Sequence, residues 1–356
     1  RDILFAQSGV IGGRTGFAPA SLVGNPGIRP ETLEELEFGT DAQFLGGRLA
    51  LEATYFDRRI TNQLLQPALA PSSGLGNLVI NAGELATRGT ELALDAIPIQ
   101  TSRLTWTSRA TWQQFTAEVR NLPGFVPPFN APNSFGVNYG RNRITQGARA
   151  TAIWGNVPVR LDAQGRVTEI LPVGSYVTNP TAVSAARDTI IGDANPDFQM
   201  FFTNSVRYRA FQLGVLVDWR RGGDVANMTN NLWDEGNNSR DFDAPSPVPN
   251  LTLGQYRYQA WSAGRDVRLY VQDGSYVKVR EVSLSADVPK SLYGRLGSRV
   301  SSMQLQLQAR NPFMFSDYWG ADPEVNNFGI SNLNRFIDLA PYPPARQFFV
   351  SLNLGI

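Results

Sequence analysis

The sequence predicts an all-β protein: a transmembrane antiparallel β-barrel with long loops at one end. Three observations predict it. Apolar and polar residues alternate with period two from end to end, which is the mark of strands with one apolar and one polar face. Short connections alternate with long ones rich in Gly, Pro, Asn and aromatics, the layout of outer-membrane barrels. The polar positions carry Gln, Thr, Arg and Glu, suited to a wet lumen, and aromatics gather near strand ends, as in Tyr55–Phe56, Trp154, Trp219 and Phe313–Phe315, where interfacial girdles sit. Alternation alone would equally fit a soluble carbohydrate-binding β-sandwich, which hides its apolar face between sheets.

The elements follow in order. ETLEELEF (31–38) hints at a helical turn but reads equally well as the start of a strand; sustained helical periodicity is otherwise almost absent. RLALEATYF (48–56) sets Leu49, Leu51, Ala53 and Tyr55 against Arg48, Glu52 and Thr54. LTWTSRATWQ (104–113) sets Leu104, Trp106, Ala110 and Trp112 against Thr105, Thr107, Arg109 and Gln113. Between 148 and 196 the up-down parity is lost, and a small hairpin, VPVRLDAQGRVTEI, turns near Gln164–Gly165. YVKVREVSLSA (276–286) alternates with a phase slip near Glu281, and MQLQLQA (303–309) alternates Leu with Gln. The last strand places Phe348, Val350, Leu352, Leu354 and Ile356 on one face, with Ser351 and Asn353 on the other. Roughly ten strands are expected, many longer than the ~5–6 residues usual in globular sheets. AQFLGGR (42–48), YRAF (208–211) and DVPKSLYGRLGSR (287–299) are the tight connections. The long loops lie near 61–77, 120–147, 223–265 and 316–345, and loops of such length usually carry function.

Composition removes most chemistry. With 32 Lys+Arg against 31 Asp+Glu, the net charge of +1 argues against a nucleic-acid surface. There is no Cys and no His, so thiol catalysis, a triad with a His base, and Cys- or His-ligated metals cannot be built. No apolar run reaches the ~20 residues of a membrane-spanning helix. RDILFAQSGVIGG lacks the basic and long apolar regions of a signal peptide and opens inside a strand-like run; the chain reads as a fragment or processed product, expected to aggregate if expressed alone. No catalytic residue, cofactor or metal is assigned.

Candidate contacts are therefore loop aromatics and polar wall residues. Trp233, Tyr256, Tyr258, Trp261, Tyr318 and Trp319 lie in long loops, where they could stack on sugar rings or grip a peptide or partner; the competing reading is that they pack the loops together. SDYWGADPEVN offers Asp322 and Glu324 as a glycan or calcium site, or as a structured turn in which Pro323 fixes φ and Asp322 caps the bend. NMTNNLWDEGNNSRDFD (227–243) is Asn/Asp-rich but lacks calcium-loop spacing, and is expected to be a solvated loop with one short helical turn. GGRTG and RRGGD match no phosphate-binding spacing and read as turns. Arg109, Gln113, Gln304 and Gln306 fall on the polar faces and are the candidate lumen-lining residues.

At NPFMFSDYWGADPEVN (311–326) the chain resembles the SusC/RagA family of TonB-dependent outer-membrane transporters. Five further stretches carry the likeness in the family's order: PETLEELEFG (30–39), NAGELATRGTELAL (81–94), IGDANPDF (191–198), WRRGGDVAN (219–227) and DGSYVKVREVSLSADVPKSL (273–292). The resemblance spans nearly the whole chain but only the later part of a family member. It implies a C-terminal portion, residues 1–356, of a 22-stranded barrel with a plugged lumen, the plug lying outside this chain. It also implies import of an oligosaccharide or peptide, with a SusD-like surface lipoprotein, and with energy from the TonB complex through the missing N-terminal region. The last strand would be read by the barrel assembly machinery, although it ends in Ile356 where the family usually has an aromatic. A ferric siderophore or cobalamin is the alternative cargo; the SYVKVREVSL and NPF…DPE segments resemble the SusC branch more.

Overall fold

The computed structural model describes residues 5–19, 22–23, 25–67, 72, 76–131, 135, 137–294, 300–328 and 333–356. Nine strands form one continuous antiparallel wall. They are β1 (Thr32–Phe44), β2 (Leu49–Thr61), β3 (Glu84–Gln100), β4 (Leu104–Arg120), β5 (Pro196–Tyr208), β6 (Phe211–Gly222), β7 (Tyr276–Asp287), β8 (Ser302–Phe315) and β9 (Gln347–Gly355). Each pairs with its sequence neighbour, so the order in space is the order in sequence. A sandwich would need two sheets packed face to face; here a single sheet carries the alternation, and the sandwich alternative is set aside.

The sheet explains the periodicity. Opposed residues share a face, so the alternating apolar positions line up in rows across strands. Leu213, Leu284, Leu307 and Val350 are successive partners across β6 to β9. Trp112, Met200, Trp219, Val277 and Phe315 form another row across β4 to β8. These side chains point outward, and the protein leaves many of them open: Val350 is 75% and Phe315 64% exposed. A band of this size left open is a surface for lipid, not water. Among the described residues no helix is long and apolar enough to cross a membrane.

The connections divide by end. Leu45–Arg48, 101–103, 209–210 and 288–301 join strands at one end; 62–83, 121–195, 223–275 and 316–346 join them at the other. The parity lost near 148–196 is restored by the pairing. Strands Ala152–Leu161, Val167–Ile170 and Ala185–Asp193 do not join the wall but form a separate sheet with Arg141–Ile144 and Phe129–Asn130, while β4 pairs directly with β5. The whole of 121–195 is one excursion, and among the described residues the wall has nine strands. The hairpin turn lies at Asp162–Arg166, as expected, with Gly165 at positive φ.

The phase slip near Glu281 is a β-bulge at Arg280. Register shifts on both sides of β7, between Leu216 and Val217 and between Val279 and Glu281, leave Arg280 without an opposed residue. A bulge re-aims a side chain, and it puts Arg280 on the polar face beside Lys278.

Of the two readings of ETLEELEF the strand holds, with Thr32–Phe38 inside β1. The short helical turn expected in 227–243 is the longer α1 (Met228–Glu235), and a second helix that the sequence does not announce, α2 (Leu253–Gly264), lies in the same connection. The start of α2 is fixed by a capping box: Thr252 accepts from the Gln255 N–H and the Gln255 side chain accepts from the Thr252 N–H, satisfying two otherwise orphaned donors. Nor is 227–243 a solvated loop, since Met228, Asn230, Asn231 and Asp234 of α1 are buried. The hydrophobic core of the protein lies here, among the loops: Ile153, Ala226, Met228, Trp261, Val267, Tyr270, Phe336 and Ile337 pack into one cluster. Three long connections thus fold into a single cap over the wall's end.

Candidate functional site

The site is the polar face of the wall where it meets the cap. Arg109, Gln113, Gln304 and Gln306 all project to this face. Arg109 pairs with Asp95 and lies 3.5 Å from Glu52. Gln113 Nε2 lies 3.4 Å from Gln199 Oε1, and Gln304 donates to Asp287 at 2.9 Å. Gln306 stands opposite Ser285 and Ser351. Phe348, Val350, Leu352 and Leu354 of β9 face the other way, and Ile356 follows β9 with its side chain exposed.

A buried ion cluster fastens the 316–346 loop to the wall. Lys278, only 4% exposed, donates to Asp322 at 2.6 Å and to Glu324. Arg280, aimed by the bulge, reaches Asp218 and Glu324, each at 2.6 Å. Tyr276 donates between Asp218 (3.1 Å) and Glu324 (2.8 Å). Burial would push the Glu324 carboxyl up. The hydrogen bond from Arg280 and the charge of Lys278 outweigh that and hold it at about 2. Asp322 also accepts from the Glu324 N–H, 2.8 Å; it caps the bend and serves the cluster at once. The calcium reading of this stretch is replaced by an ion pair: lysine and arginine occupy the oxygens a cation would need.

The cap is tied together in the same manner. Arg257 on α2 donates to Asp234 on α1 and to Asp241, at 2.7–3.0 Å. Burial opposes its charge, but the hydrogen bonds to both carboxylates raise its pKa above the usual arginine value. Burial, with Asp234 beside it, also raises the Tyr270 hydroxyl, which donates to that carboxylate at 3.0 Å. The Asn142 and Asn334 side-chain oxygens accept each other's backbone N–H, joining segments 192 residues apart.

The aromatic candidates separate into two groups. Tyr256, Trp261 and Tyr318 are each 6% exposed and are corrected from loop contacts to packing residues. Trp261 donates to the Asn138 carbonyl at 2.7 Å, and Tyr318 donates to Asp338 at 2.5 Å. Tyr256 and Trp261 share the buried face of α2 with Gly254, Arg257 and Ala260, while Tyr318 is buried in the 316–346 connection. Trp233, Tyr258 and Trp319 stay accessible. The Trp233 and Trp319 rings lie 5.7 Å apart with Arg240 over Trp319, and Tyr258 bonds Glu235.

Between wall and cap lies a cavity of about 450 Å³. Gln113, Gln199, Arg220 and Tyr276 floor it from β4 to β7; Asp224, Glu324, Arg335 and Phe336 enclose it from the cap. Of these, Gln113 and Glu324 were singled out from sequence. Lys278, Arg280, Asp218 and Arg220 were missed; the one local signal for them was the phase slip that marks the bulge.

Comparison with known proteins accords with this geometry. A family model described as TonB dependent receptor-like, beta-barrel, matches residues 3–185. TonB-dependent receptor P3 of Formosa agariphila is 27% identical over 350 residues, which is 93% of this chain and 34% of the relative. TonB-dependent receptor P26 of the same organism is 22% identical over 93% of this chain and 35% of its own length. The chain thus spans about a third of the length of these curated relatives. Among solved structures, the RagAB peptide transporter matches with a TM-score of 0.72 at 16% identity, covering 99% of this chain and 38% of that one. The RagAB peptide importer in its open-open state matches at 0.68. At this identity the likeness shows the fold.

Proposed function

The chain belongs to the TonB-dependent receptor β-barrel family, is RagA-like in fold and resides in the outer membrane, and from that premise we propose that the protein it forms part of imports an oligosaccharide or peptide. A SusD-like lipoprotein covers the cap, and the TonB complex supplies energy through the region N-terminal to this stretch. The observation that carries this reading is the cavity of about 450 Å³ between a polar wall and a packed cap. Its floor of amides and charges binds a polar solute reversibly, without covalent chemistry, as a conduction path requires. Trp233, Tyr258 and Trp319 remain proposed contacts for cargo or lipoprotein on the accessible side of the cap.

The test pairs genetics with purification. Deleting the gene should abolish growth on an oligosaccharide or peptide mixture as sole carbon source, and the tagged full-length protein, solubilised in mild detergent, should carry a surface lipoprotein. A deletion strain that loses only growth on ferric siderophore or cobalamin would overturn the cargo assignment.

A further inference from the structure

Among the described residues Arg220 has no counter-ion where its neighbours have several. It stands in a row of directly opposed residues, Gln113, Gln199, Arg220 and Tyr276, that crosses β4 to β7 and floors the cavity. Lys278 and Arg280 on the adjacent strand are saturated by Asp218, Asp322 and Glu324. Arg220 makes one hydrogen bond, from Nη2 to the Ala194 carbonyl at 3.0 Å, while its Nε is buried and meets no acceptor. The turn after β6 leaves the guanidinium its room. Gly223 has φ 81°, and a Cβ there would fall 2.2 Å from Nη2. Arg335 borders the same cavity and belongs to no ion pair among the described residues.

The cavity's acids do not meet this need. Glu324 is held by Lys278 and Arg280. Burial pushes the Asp224 carboxyl up toward its neutral form, and its Oδ2 accepts from the Asp193 N–H at 2.8 Å. A buried N–H without an acceptor is costly, and a guanidinium presents paired donors that match a carboxylate. The side-chain amides of Gln113 and Gln199 each offer donor and acceptor, which suits peptide groups whatever the peptide's sequence.

We propose that the cavity binds the free carboxylate of a short peptide through Arg220, an inference that rests on the import reading above and specifies its cargo. The carboxylate satisfies the guanidinium, and the amide row holds the adjoining backbone.

The test uses the full-length transporter in detergent, with titration calorimetry against three probes: an alanine-based heptapeptide with a free C-terminus, the same peptide C-terminally amidated, and an oligogalacturonide. The free acid should bind about tenfold or more tightly than the amide. Arg220→Gln should bring the two within about twofold of each other, by weakening the free acid far more than the amide. Gel filtration and heat-modifiable mobility establish that the variant is folded, and Arg335→Gln, at an exposed position, should weaken the same preference independently. Equal binding of acid and amide, or a preference that survives Arg220→Gln, overturns the inference and leaves the import reading standing. Binding of the oligogalacturonide alone, lost in Arg220→Gln, moves the carboxylate to a sugar acid and overturns the peptide assignment. No binding of any probe overturns both.

Discussion

Replacing Lys278 by Met should free the 316–328 segment from the wall. Lys278 and Asp322 are 4% and 8% exposed at their side chains, so the substitution leaves a carboxylate in a dry site without its cation. Removing one partner of a buried pair costs ~3–5 kcal/mol. Glu324 keeps Arg280 at 2.6 Å and Tyr276 at 2.8 Å, and Asp322 keeps the Glu324 N–H at 2.8 Å, which places the effect at the lower end, about 3 kcal/mol. Local opening should then rise by roughly 100-fold. Hydrogen exchange on the full-length protein would show this as accelerated exchange across 316–328, with the β7–β8 ladder unchanged. Adding Asp322→Asn should recover most of the protection, because the second substitution removes the stranded charge. A change under about threefold in 316–328 would refute the view that this cluster anchors the loop. The same anchor has an acid limit. Glu324 titrates at about 2 in the fold against an ordinary 4.5, so its contribution is fully present above 4.5 and is lost as pH falls through 2. Protection factors in this segment, corrected for the intrinsic pH dependence of exchange, should therefore be constant from neutrality to about pH 4.5 and fall below it.

Other outcomes follow from the two faces of the wall and from the cap. Leu284→Arg places a charge in the outward apolar row and should destabilise by ~2–4 kcal/mol, reducing the heat-modifiable folded band, whereas Gln306→Arg on the polar face should fold normally. Arg257→Ala strands Asp234, whose side chain is wholly buried, and should cost ~3–5 kcal/mol, seen as protease cleavage between α1 and α2 while the barrel band persists.

The wall was legible because its rules are local. Alternate residues of a strand project to opposite faces wherever the strand lies, so LTWTSRATWQ and MQLQLQA revealed both faces, and the slip at Glu281 announced the bulge without saying what it aims. The cap was not legible for the converse reason. The buried face of α2 mixes Tyr256, Ala260 and Trp261 with the charged Arg257, so it shows no apolar stripe; the residues that stabilise it, such as Arg257, Asp234 and Asp241, lie up to 23 positions apart in a stretch that reads as polar loop. The strands between 148 and 196 alternate like wall strands yet pair elsewhere, because alternation specifies a face and not a partner.

The sequence by itself determined the strand class, the lipid and lumen faces, the two unlike ends and the family resemblance. Only the tertiary structure decided that three long connections fuse into one cap, that Tyr256, Trp261 and Tyr318 are packing residues, and that Lys278 and Arg280 are saturated while Arg220 is not. The physical reason is that periodicity is set by backbone geometry over a few residues, whereas counter-ions are set by side chains that meet from 16 to 62 positions apart.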